Sequence, residues 1–171
     1  MSALPVYPRR DPTYDTVRTQ DQSYDRVRSI LAAVADTVLE ECPELVGLED
    51  SRPERDRPSG SSWHGMETTV HVSALLASQS GCDPDPERRR RLLAAIDGTV
   101  TQLDLHRCSC SHPSTVLWRD EAGARLEVVF GVRLLVRAYS APFLPGSLHP
   151  PQTTSPVSAL SPITPPARSL N

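Results

Sequence analysis

The stretch RLEVVFGVRLLVRAY, residues 125–139, gives the clearest indication of the fold. Its apolar side chains fall at every second position from Leu126 to Val136, and arginine or glutamate fills several of the positions between them. Because successive side chains of a strand point to opposite faces, this alternation predicts one long strand with a buried face and a polar face. Gly131 predicts a bulge or a close approach within that strand. The preceding STVLWR and DEAGA predict a shorter strand and a turn, so the whole region is expected to form a hairpin.

A second alternating segment begins at Met66 and continues to Leu76. Its even-numbered positions carry apolar residues or threonine, while Glu67 and His71 occupy positions on the opposite face. This pattern predicts a strand with one buried side. On the polar side, His71 is expected to be solvated or hydrogen-bonded, with a role as a general base as the alternative.

Three- and four-residue spacing of apolar side chains predicts two helices. The first follows Ser23, the predicted N-cap, and ends before Pro43. The second has Asp85 as its predicted N-cap and Pro86 in its first helical position, where a proline lacks only a hydrogen bond that the helix would not make. Each helix therefore has a defined start and one apolar face.

The order helix, strand, helix, strand, strand predicts an α+β fold. In it, two helices pack on one face of a small, about three-stranded, mainly antiparallel sheet. Residues 23–141 form this single domain. Residues 1–22 and 142–171 are polar or rich in proline, which predicts a disordered arm and a disordered tail. Within the domain, GLEDSRPERDRPSGSS, residues 47–62, mixes charges with Pro, Gly and Ser and predicts a long mobile loop.

Charge and hydropathy exclude some classes of partner. The net charge of −3 is too small to indicate nucleic-acid or membrane binding by bulk electrostatics. The N-terminus lacks the apolar core of a signal peptide, and no run approaches the ~18 apolar residues of a membrane span. We therefore expect a cytoplasmic chain with no nucleic-acid partner and no membrane span.

The loop LHRCSCSH, residues 105–112, concentrates potential metal ligands. Thiolates and imidazoles are the usual ligands of zinc, and four of them occur here at every second position: His106, Cys108, Cys110 and His112. In an extended strand the outermost two would lie about 20 Å apart, so one ion could not take all four unless the segment turned back tightly. Two of them could bind zinc with help from elsewhere in the chain: Cys42, Cys82, His64 or His71.

A structural role is the commoner interpretation of this loop. The Cys-x-Cys spacing differs from the Cys-x-x-Cys of thioredoxin-like redox sites, and a direct bridge between Cys108 and Cys110 would be strained. In a reducing compartment the cysteines are expected to remain thiols that fill small, partly buried spaces. The predicted cofactor is therefore none, with zinc as the alternative.

Arginines indicate two candidate binding surfaces. One is the start of the second helix, where Arg88 and Arg89 begin a run of arginines. The other is the polar face of the predicted sheet, which carries Arg125, Arg133 and Arg137. Each surface could bind phosphate or a protein partner, and each could also be an ordinary solvated face.

The sequence carries none of the motifs G-x-S-x-G, H-E-x-x-H and G-x-G-x-x-G, and it has no phosphate-binding P-loop. No serine lies in a recognisable nucleophile context. We therefore predict no catalytic residues and no enzyme activity.

The helix DPDPERRRRLLAAIDG and the hairpin LWRDEAGARLEVVFGVRLLVRAYSAPFLPG, in this order after a first helix and a strand, resemble small actinobacterial α+β domains of the Lpp lipoprotein type. The resemblance covers residues 23–146 and is strongest in DEAGARLEV. The chain departs from that type because it lacks the signal peptide and the lipidated cysteine, which puts an envelope role in doubt. The resemblance implies no reaction.

These observations lead to one functional hypothesis and two alternatives. The first is a small non-enzymatic accessory or binding domain with a protein partner, bound at the outer sheet face or at the Arg88 helix start. The second is a zinc- or redox-responsive protein centred on Cys108 and Cys110. The third is a structural component of a phage or mobile element.

Overall fold

The computed structural model of the chain describes residues 17–81, 85–109 and 112–146. Cys82, Cys110 and most of the predicted arm and tail lie outside these residues. In chain order the elements are α1 (Gln20–Glu41), a short 3-10 turn (Pro43–Leu45), β1 (Leu48–Arg52), β2 (Arg55–Trp63), β3 (Met66–Val72), β4 (Leu75–Ser78), α2 (Pro86–Thr101), β5 (His106–Cys108), β6 (Thr115–Arg119), β7 (Arg125–Phe130) and β8 (Leu134–Tyr139).

Within the described residues, eight strands form one sheet. All pairings between these strands are antiparallel. The strands β1, β4, β8, β7, β6 and β5 lie side by side in that order, while β3 pairs with β8 on one side and with β2 on the other. The predicted three-stranded sheet, with the order helix, strand, helix, strand, strand, is therefore wrong. The fold is a larger, sheet-rich α+β arrangement.

The largest difference concerns residues 47–62, which were expected to form a long loop and instead hold β1 and most of β2. Ten of the fourteen residues in these two strands are exposed, and Trp63, at the end of β2, is buried. A strand exposed on both faces has no alternation of apolar and polar residues, so periodicity cannot reveal it. Pro58 sits where the register of β2 against β3 shifts, between Pro58 and Ser62, which is a position where a sheet tolerates proline.

The stretch 125–139 forms two strands, because the chain reverses direction over residues 131–133 and β7 pairs with β8 along its length. Val132 continues the apolar alternation in the sequence, but it is 90% exposed in this turn. Arg133 also lies in the turn and not on a strand face, and its Nη1 is 3.0 Å from Glu49 Oε1. The prediction of one strand was wrong because Val132 continues the alternation of apolar and polar residues through the turn.

The alternating segment that begins at Met66 is likewise divided, into β3 and β4, and both pair with β8. Ser73, between them, keeps the backbone of β8 hydrogen-bonded. Its N–H donates to the carbonyl of Ala138 at 2.9 Å, and its hydroxyl oxygen accepts from the N–H of Ala138 at 3.0 Å. The hydroxyl oxygen of Ser78 accepts from the N–H of Leu134 at 3.1 Å. Serine oxygens thus take the place of strand carbonyls between β3 and β4 and at the last residue of β4.

The helix α1 begins earlier than predicted. Thr19 is its N-cap: the Thr19 hydroxyl accepts from the N–H of Gln22, and the Gln22 side chain accepts from the N–H of Thr19. This reciprocal pair is a capping box. Ser23, the predicted N-cap, is buried in the first turn instead. Neither described helix is long and apolar enough to cross a membrane.

The predicted start of α2 is confirmed. Asp85 is the N-cap and Pro86 is the first helical residue. The Asp85 carboxylate accepts from the backbone N–H groups of Glu87 at 2.9 Å and Arg88 at 3.0 Å. The hydrogen bond from Arg88 makes the larger contribution in lowering the pKa of Asp85, because it favours the charged carboxylate.

Both helices pack against one face of the sheet and form with it the main core. Its buried residues from the helices are Val27, Ile30, Val34, Val38, Leu92, Ile96 and Val100, and those from the central strands include Trp118, Leu126, Val128, Leu134 and Val136. Burying one such aliphatic side chain stabilises the fold by about 1.5–3 kcal/mol. The Trp118 indole N–H donates to Asp97 Oδ1 at 2.6 Å, which joins β6 to α2.

A second, smaller group of buried residues lies at the β2–β3 hairpin. This hairpin cluster consists of Val17, Trp63, Phe143 and Leu144. The backbone of Phe143 pairs with that of Thr69, each N–H donating to the other's carbonyl at 2.8 Å. Residues 142–146 are therefore part of the folded domain, and the predicted tail boundary at residue 142 was too early.

Candidate functional site

The sheet face that points away from the helices, the outer face, carries charged and aromatic side chains. On β7 and β8 these side chains form two cross-strand pairs, Arg125 with Tyr139 and Glu127 with Arg137. They alternate along each strand with the buried residues of the main core. The central strands thus bury one face and present charge on the other.

The outer face contains a groove of about 650 Å³, with β2 as one wall and β5 and β6 as the other. Since residues of both walls line the same groove, the sheet brings two of its edges towards each other on this face. The lining of the groove includes the charged residues Arg57, Arg119 and Arg125, the hydroxyl residue Ser59, and the apolar residues Val70 and Leu117. We call this feature the outer groove.

Two of these arginines lie over one aromatic ring. The guanidinium carbon of Arg125 is 4.0 Å from the centroid of the Tyr139 ring, and that of Arg57, on the β2 wall, is 5.5 Å from it. The Tyr139 hydroxyl donates to Glu127 Oε2 at 2.8 Å. Burial and this hydrogen bond raise the pKa of Tyr139. The ring is therefore neutral at physiological pH and attracts both cations through its π-face.

The β2 wall is fixed by hydroxyl groups. Ser59 Oγ lies 2.6 Å from Thr68 Oγ1 and 2.8 Å from Ser61 Oγ. These contacts join β2 to β3 where the strand register shifts. Gly60, between the two serines, has φ +79°, a left-handed conformation that costs glycine little because it has no Cβ. The wall is thus an ordered edge with hydroxyls on its surface.

The arginines predicted at the start of the second helix contact the protein itself. Arg88 Nη1 lies 2.7 Å from Glu44 Oε1. Arg89 donates to the carbonyl of Pro113 at 2.7 Å, and its guanidinium carbon is 4.5 Å from the centroid of the Phe130 ring. Both side chains therefore tie α2 to neighbouring segments.

The three predicted sheet arginines lie in different surroundings. Arg125 lines the outer groove. Arg137 lies on the same face opposite Glu127, and its Nε is buried without a hydrogen-bond partner among the described residues. Arg133 lies in the β7–β8 turn and pairs with Glu49. The structure thus brings only Arg125 of these three into the groove lining.

Two groove arginines were missed by the sequence analysis. Arg57 falls in the segment that was expected to be a loop, and Arg119 ends a strand whose neighbour β5 was expected to be a loop as well. The only local signal for Arg57 is its place, two residues after Arg55, in a polar segment that contains no apolar residue to set a period. Its position in the groove depends on how the sheet is assembled.

The loop LHRCSCSH begins with the short strand β5. His106 and Cys108 lie in this strand opposite Arg119 and Leu117 of β6, respectively. Cys108 is a half-buried free thiol that lines the outer groove. Its Sγ is 3.6 Å from the carbonyl oxygen of His106. The part of this loop nearest to the candidate site is therefore Cys108.

Metal binding by this loop stays a prediction, because Cys110 lies outside the described residues. Among the residues that the structure describes, no group of three or more His, Cys, Asp or Glu side chains could hold a metal ion. His112 is exposed, and its Nδ1 lies 2.7 Å from Ser114 Oγ. Of the proposed helper ligands, Cys42 is buried in the main core and His64 is exposed in the β2–β3 turn.

His71 is buried and hydrogen-bonded on the side of β3 that faces α1. Its Nδ1 lies 2.7 Å from Asp56 Oδ1, and its Nε2 lies 3.5 Å from Glu54 Oε2. The Tyr24 ring packs on the imidazole, with 4.0 Å between ring centroids, and the Tyr24 hydroxyl donates to Asp56 Oδ2 at 2.5 Å. Burial, followed by the hydrogen bond to Asp56, raises the pKa of Tyr24 to about 12. This Tyr24–Asp56–His71 cluster joins α1 to the hairpin.

Comparison with known proteins gives one structural likeness. No protein-family model matches the sequence, and no curated protein matches it. The fold is similar to the crystal structure of a DUF4853 family protein from Actinomyces odontolyticus, with a TM-score of 0.48 and 15% sequence identity over 74% of this chain and 71% of that chain. The resemblance to the Lpp lipoprotein type stays a prediction.

Proposed function

We propose that this chain is a non-catalytic domain that binds a partner protein in the outer groove. One observation carries the proposal: the charged residues that line the groove, in the part of the chain that the structure describes, are all arginine. They come from three strands, Arg57 from β2, Arg119 from β6 and Arg125 from β7. Three separate segments thus place positive charge around one opening.

The size and lining of the groove suit the binding of a protein segment. Ligand sites commonly enclose about 300–1,000 Å³ and combine apolar surface with a few polar groups. The groove has a volume of about 650 Å³, and Val70 and Leu117 supply apolar surface beside the arginines. Arginine is enriched among the residues that contribute most to protein–protein binding.

The polar groups near the groove support a role in binding over one in catalysis. The hydroxyls of Ser59 and Ser61 contact each other and Thr68. The imidazole of His71 is bonded to Asp56 beneath the Tyr24 ring. General-base catalysis needs a base within hydrogen-bond reach of the proton that it removes, and this imidazole lies on the α1 side of the hairpin.

The proposal is tested by peptide selection followed by thiol protection. A phage library of random peptides, with no bias in charge, is selected on the full chain carrying Cys82→Ser and Cys110→Ser. The rate of alkylation of Cys108 is then measured with and without each selected peptide at saturation. Because Cys108 lines the groove, we expect bound peptides to slow its alkylation severalfold and to be recovered with unchanged mass.

Leu117→Trp is the variant that should block binding, because it fills the groove from a strand position suited to aromatic residues. We expect this variant to lose the selected peptides, whereas Val132→Ala, in the distant β7–β8 turn, keeps them. Peptides that bind without protecting Cys108, and that bind Leu117→Trp equally well, would place the binding site elsewhere. Cleavage or modification of the peptide would overturn the non-catalytic part of the proposal.

A further inference from the structure

We propose further that the outer groove recognises an acidic side chain of its partner, held as a carboxylate between Arg57 and Arg125. An apolar side chain next to that acid would contact Val70 and Leu117. This inference rests on the proposed function and names the chemistry of the segment that is bound. The occupant is thus a peptide segment in which Asp or Glu alternates with apolar residues.

The two arginines converge on one ring from different strands. Arg57 belongs to β2 and Arg125 to β7, yet their guanidinium carbons lie 5.5 Å and 4.0 Å from the centroid of the same Tyr139 ring. Their separation therefore cannot exceed the sum of these distances. Because the π-face of an aromatic ring repels anions, a carboxylate that contacts both side chains would lie beside the ring, between the two guanidinium groups.

The positive charge at this point has no ion-pair partner within the described residues. The exposed arginines elsewhere on the fold include Arg88, which pairs with Glu44, and Arg133, which pairs with Glu49. Neither Arg57 nor Arg125 makes an ion pair with any described carboxylate. A ligand carboxylate would supply the missing counter-charge.

The cation–π contacts leave hydrogen-bond donors available. A guanidinium that lies over an aromatic ring uses its flat face for that contact, and its N–H groups remain free at the edge of the plane. Those N–H groups form a fork that matches the two oxygens of a carboxylate. The Tyr139 ring thus holds Arg57 and Arg125 ready for an anion and restricts the conformations that binding would otherwise have to fix.

The groove keeps an excess of positive charge in spite of Glu127. The Glu127 carboxylate accepts from the Tyr139 hydroxyl, so one negative charge lies next to the ring that the two arginines share. Because Arg137 lies opposite Glu127 and Arg119 lies opposite Arg125, the arginines in and beside the groove outnumber this carboxylate, and the groove favours an anionic ligand. Tyr139 is only 9% exposed, so its ring offers little surface on which a nucleic-acid base could stack.

The experiment compares three dye-labelled peptides with blocked termini, one of alternating Val and Asp, one of alternating Val and Asn, and one of alternating Val and phosphoserine. Fluorescence anisotropy measures their affinity for the full chain at low and high salt. We expect the Asp peptide to bind about tenfold or more tightly than the Asn peptide. We expect the difference to shrink at high salt, because exposed charges are then screened.

Substitutions test whether the preference for the Asp peptide over the Asn peptide depends on the two arginines. Arg125→Gln and, separately, Arg57→Gln should remove most of the preference for Asp over Asn. Arg125→Lys should remove part of it, because lysine keeps the charge and lacks the fork. Arg133→Gln is the matched control, since this arginine is exposed and lies in the β7–β8 turn. Arg57 is exposed on an edge strand, so its substitution leaves the folded chain available for measurement.

The outcomes separate this inference from the proposed function. If the Asp and Asn peptides bind equally well and both protect Cys108 from alkylation, the groove binds protein segments but does not select acids, and the inference is wrong. Tighter binding of the phosphoserine peptide would also overturn it, in favour of a phosphate ligand. If neither these peptides nor the selected ones protect Cys108, the proposed function itself fails.

Discussion

The main core and the β2–β3 hairpin are stabilised in different ways. The main core consists of apolar side chains from both helices and the central strands, and its residues recur with helical or strand periodicity in the sequence. The hairpin relies on the hydroxyl contacts of Ser59 and Thr68, on the Tyr24–Asp56–His71 cluster and on the small hairpin cluster. One wall of the outer groove therefore belongs to a region that hydrophobic patterning does not reveal.

The largest loss of stability is expected from a substitution in the main core. Leu126, the second residue of β7, is 0% exposed, so Leu126→Ala should lower the free energy of unfolding by about 2–5 kcal/mol through lost burial and a residual cavity. Urea denaturation followed by circular dichroism measures the change. Val132→Ala, at a residue that is 90% exposed, should change the free energy by no more than about 0.5 kcal/mol. Similar losses in both variants would contradict the boundaries assigned to the main core.

A smaller and more local effect is expected in the hairpin. Asp56→Ala removes the carboxylate that contacts both Tyr24 and His71. Because this carboxylate is 39% exposed, we expect a loss of only about 1 kcal/mol. Hydrogen exchange should accelerate at the amides of β2 and β3 and change little in β7 and β8.

The control for that measurement is Glu49→Ala, which breaks the exposed pair between Glu49 and Arg133. Such a surface pair contributes about 0–1 kcal/mol, and its loss should leave the exchange of β2 and β3 unchanged. An equal acceleration of exchange throughout the sheet in Asp56→Ala would show that the hairpin does not open separately from the main core.

The smallest effect on stability is expected at Tyr24, and it appears only at alkaline pH. The pKa of Tyr24 is raised from 10.0 to about 12 in the folded chain, so the folded chain keeps a proton that the unfolded chain has already lost. The resulting contribution to stability is complete below pH 10 and is lost as the pH rises through about 12. Tyr24→Phe should therefore show a shallower fall in stability over this range than the unsubstituted chain. Tyrosinate absorbance should show one late-titrating group fewer in the variant, and an unchanged titration would refute the assignment.

The sequence identifies the elements that bury one face and misses the strands that are mostly exposed. The start of α2 follows directly from Asp85 and Pro86, because their chemistry suits only a few positions in a helix. The start of α1 was misplaced because Thr19 and Ser23 are both good N-caps. Gln22, three residues after Thr19, completes the capping box that decides between them. The strands β1 and β2 could not be predicted, since their exposure leaves no periodic pattern.

Only part of the candidate site was predictable from the sequence. Arg125 lies in the alternating segment that defined the predicted sheet, so its place on the outer face could be inferred from the sequence. Arg57 reaches the same Tyr139 ring through the antiparallel pairing of β2 with β3 and the pairing of Val72 with Tyr139. Local sequence does not encode such long-range pairing, and the convergence of Arg57 and Arg125 therefore required the structure.

The interrupted strand β2 also has a consequence for association between copies of the chain. In the described fold β2 pairs only with β3, and an uninterrupted free strand edge can recruit a strand from another molecule and start aggregation. Pro58 lacks the N–H that such pairing requires. The register shift that follows it interrupts the regular row of backbone N–H donors along this edge. The charged side chains of Arg55, Asp56 and Arg57 further disfavour edge-to-edge pairing of strands from two molecules. The groove wall can thus remain open to a partner without nucleating fibrils.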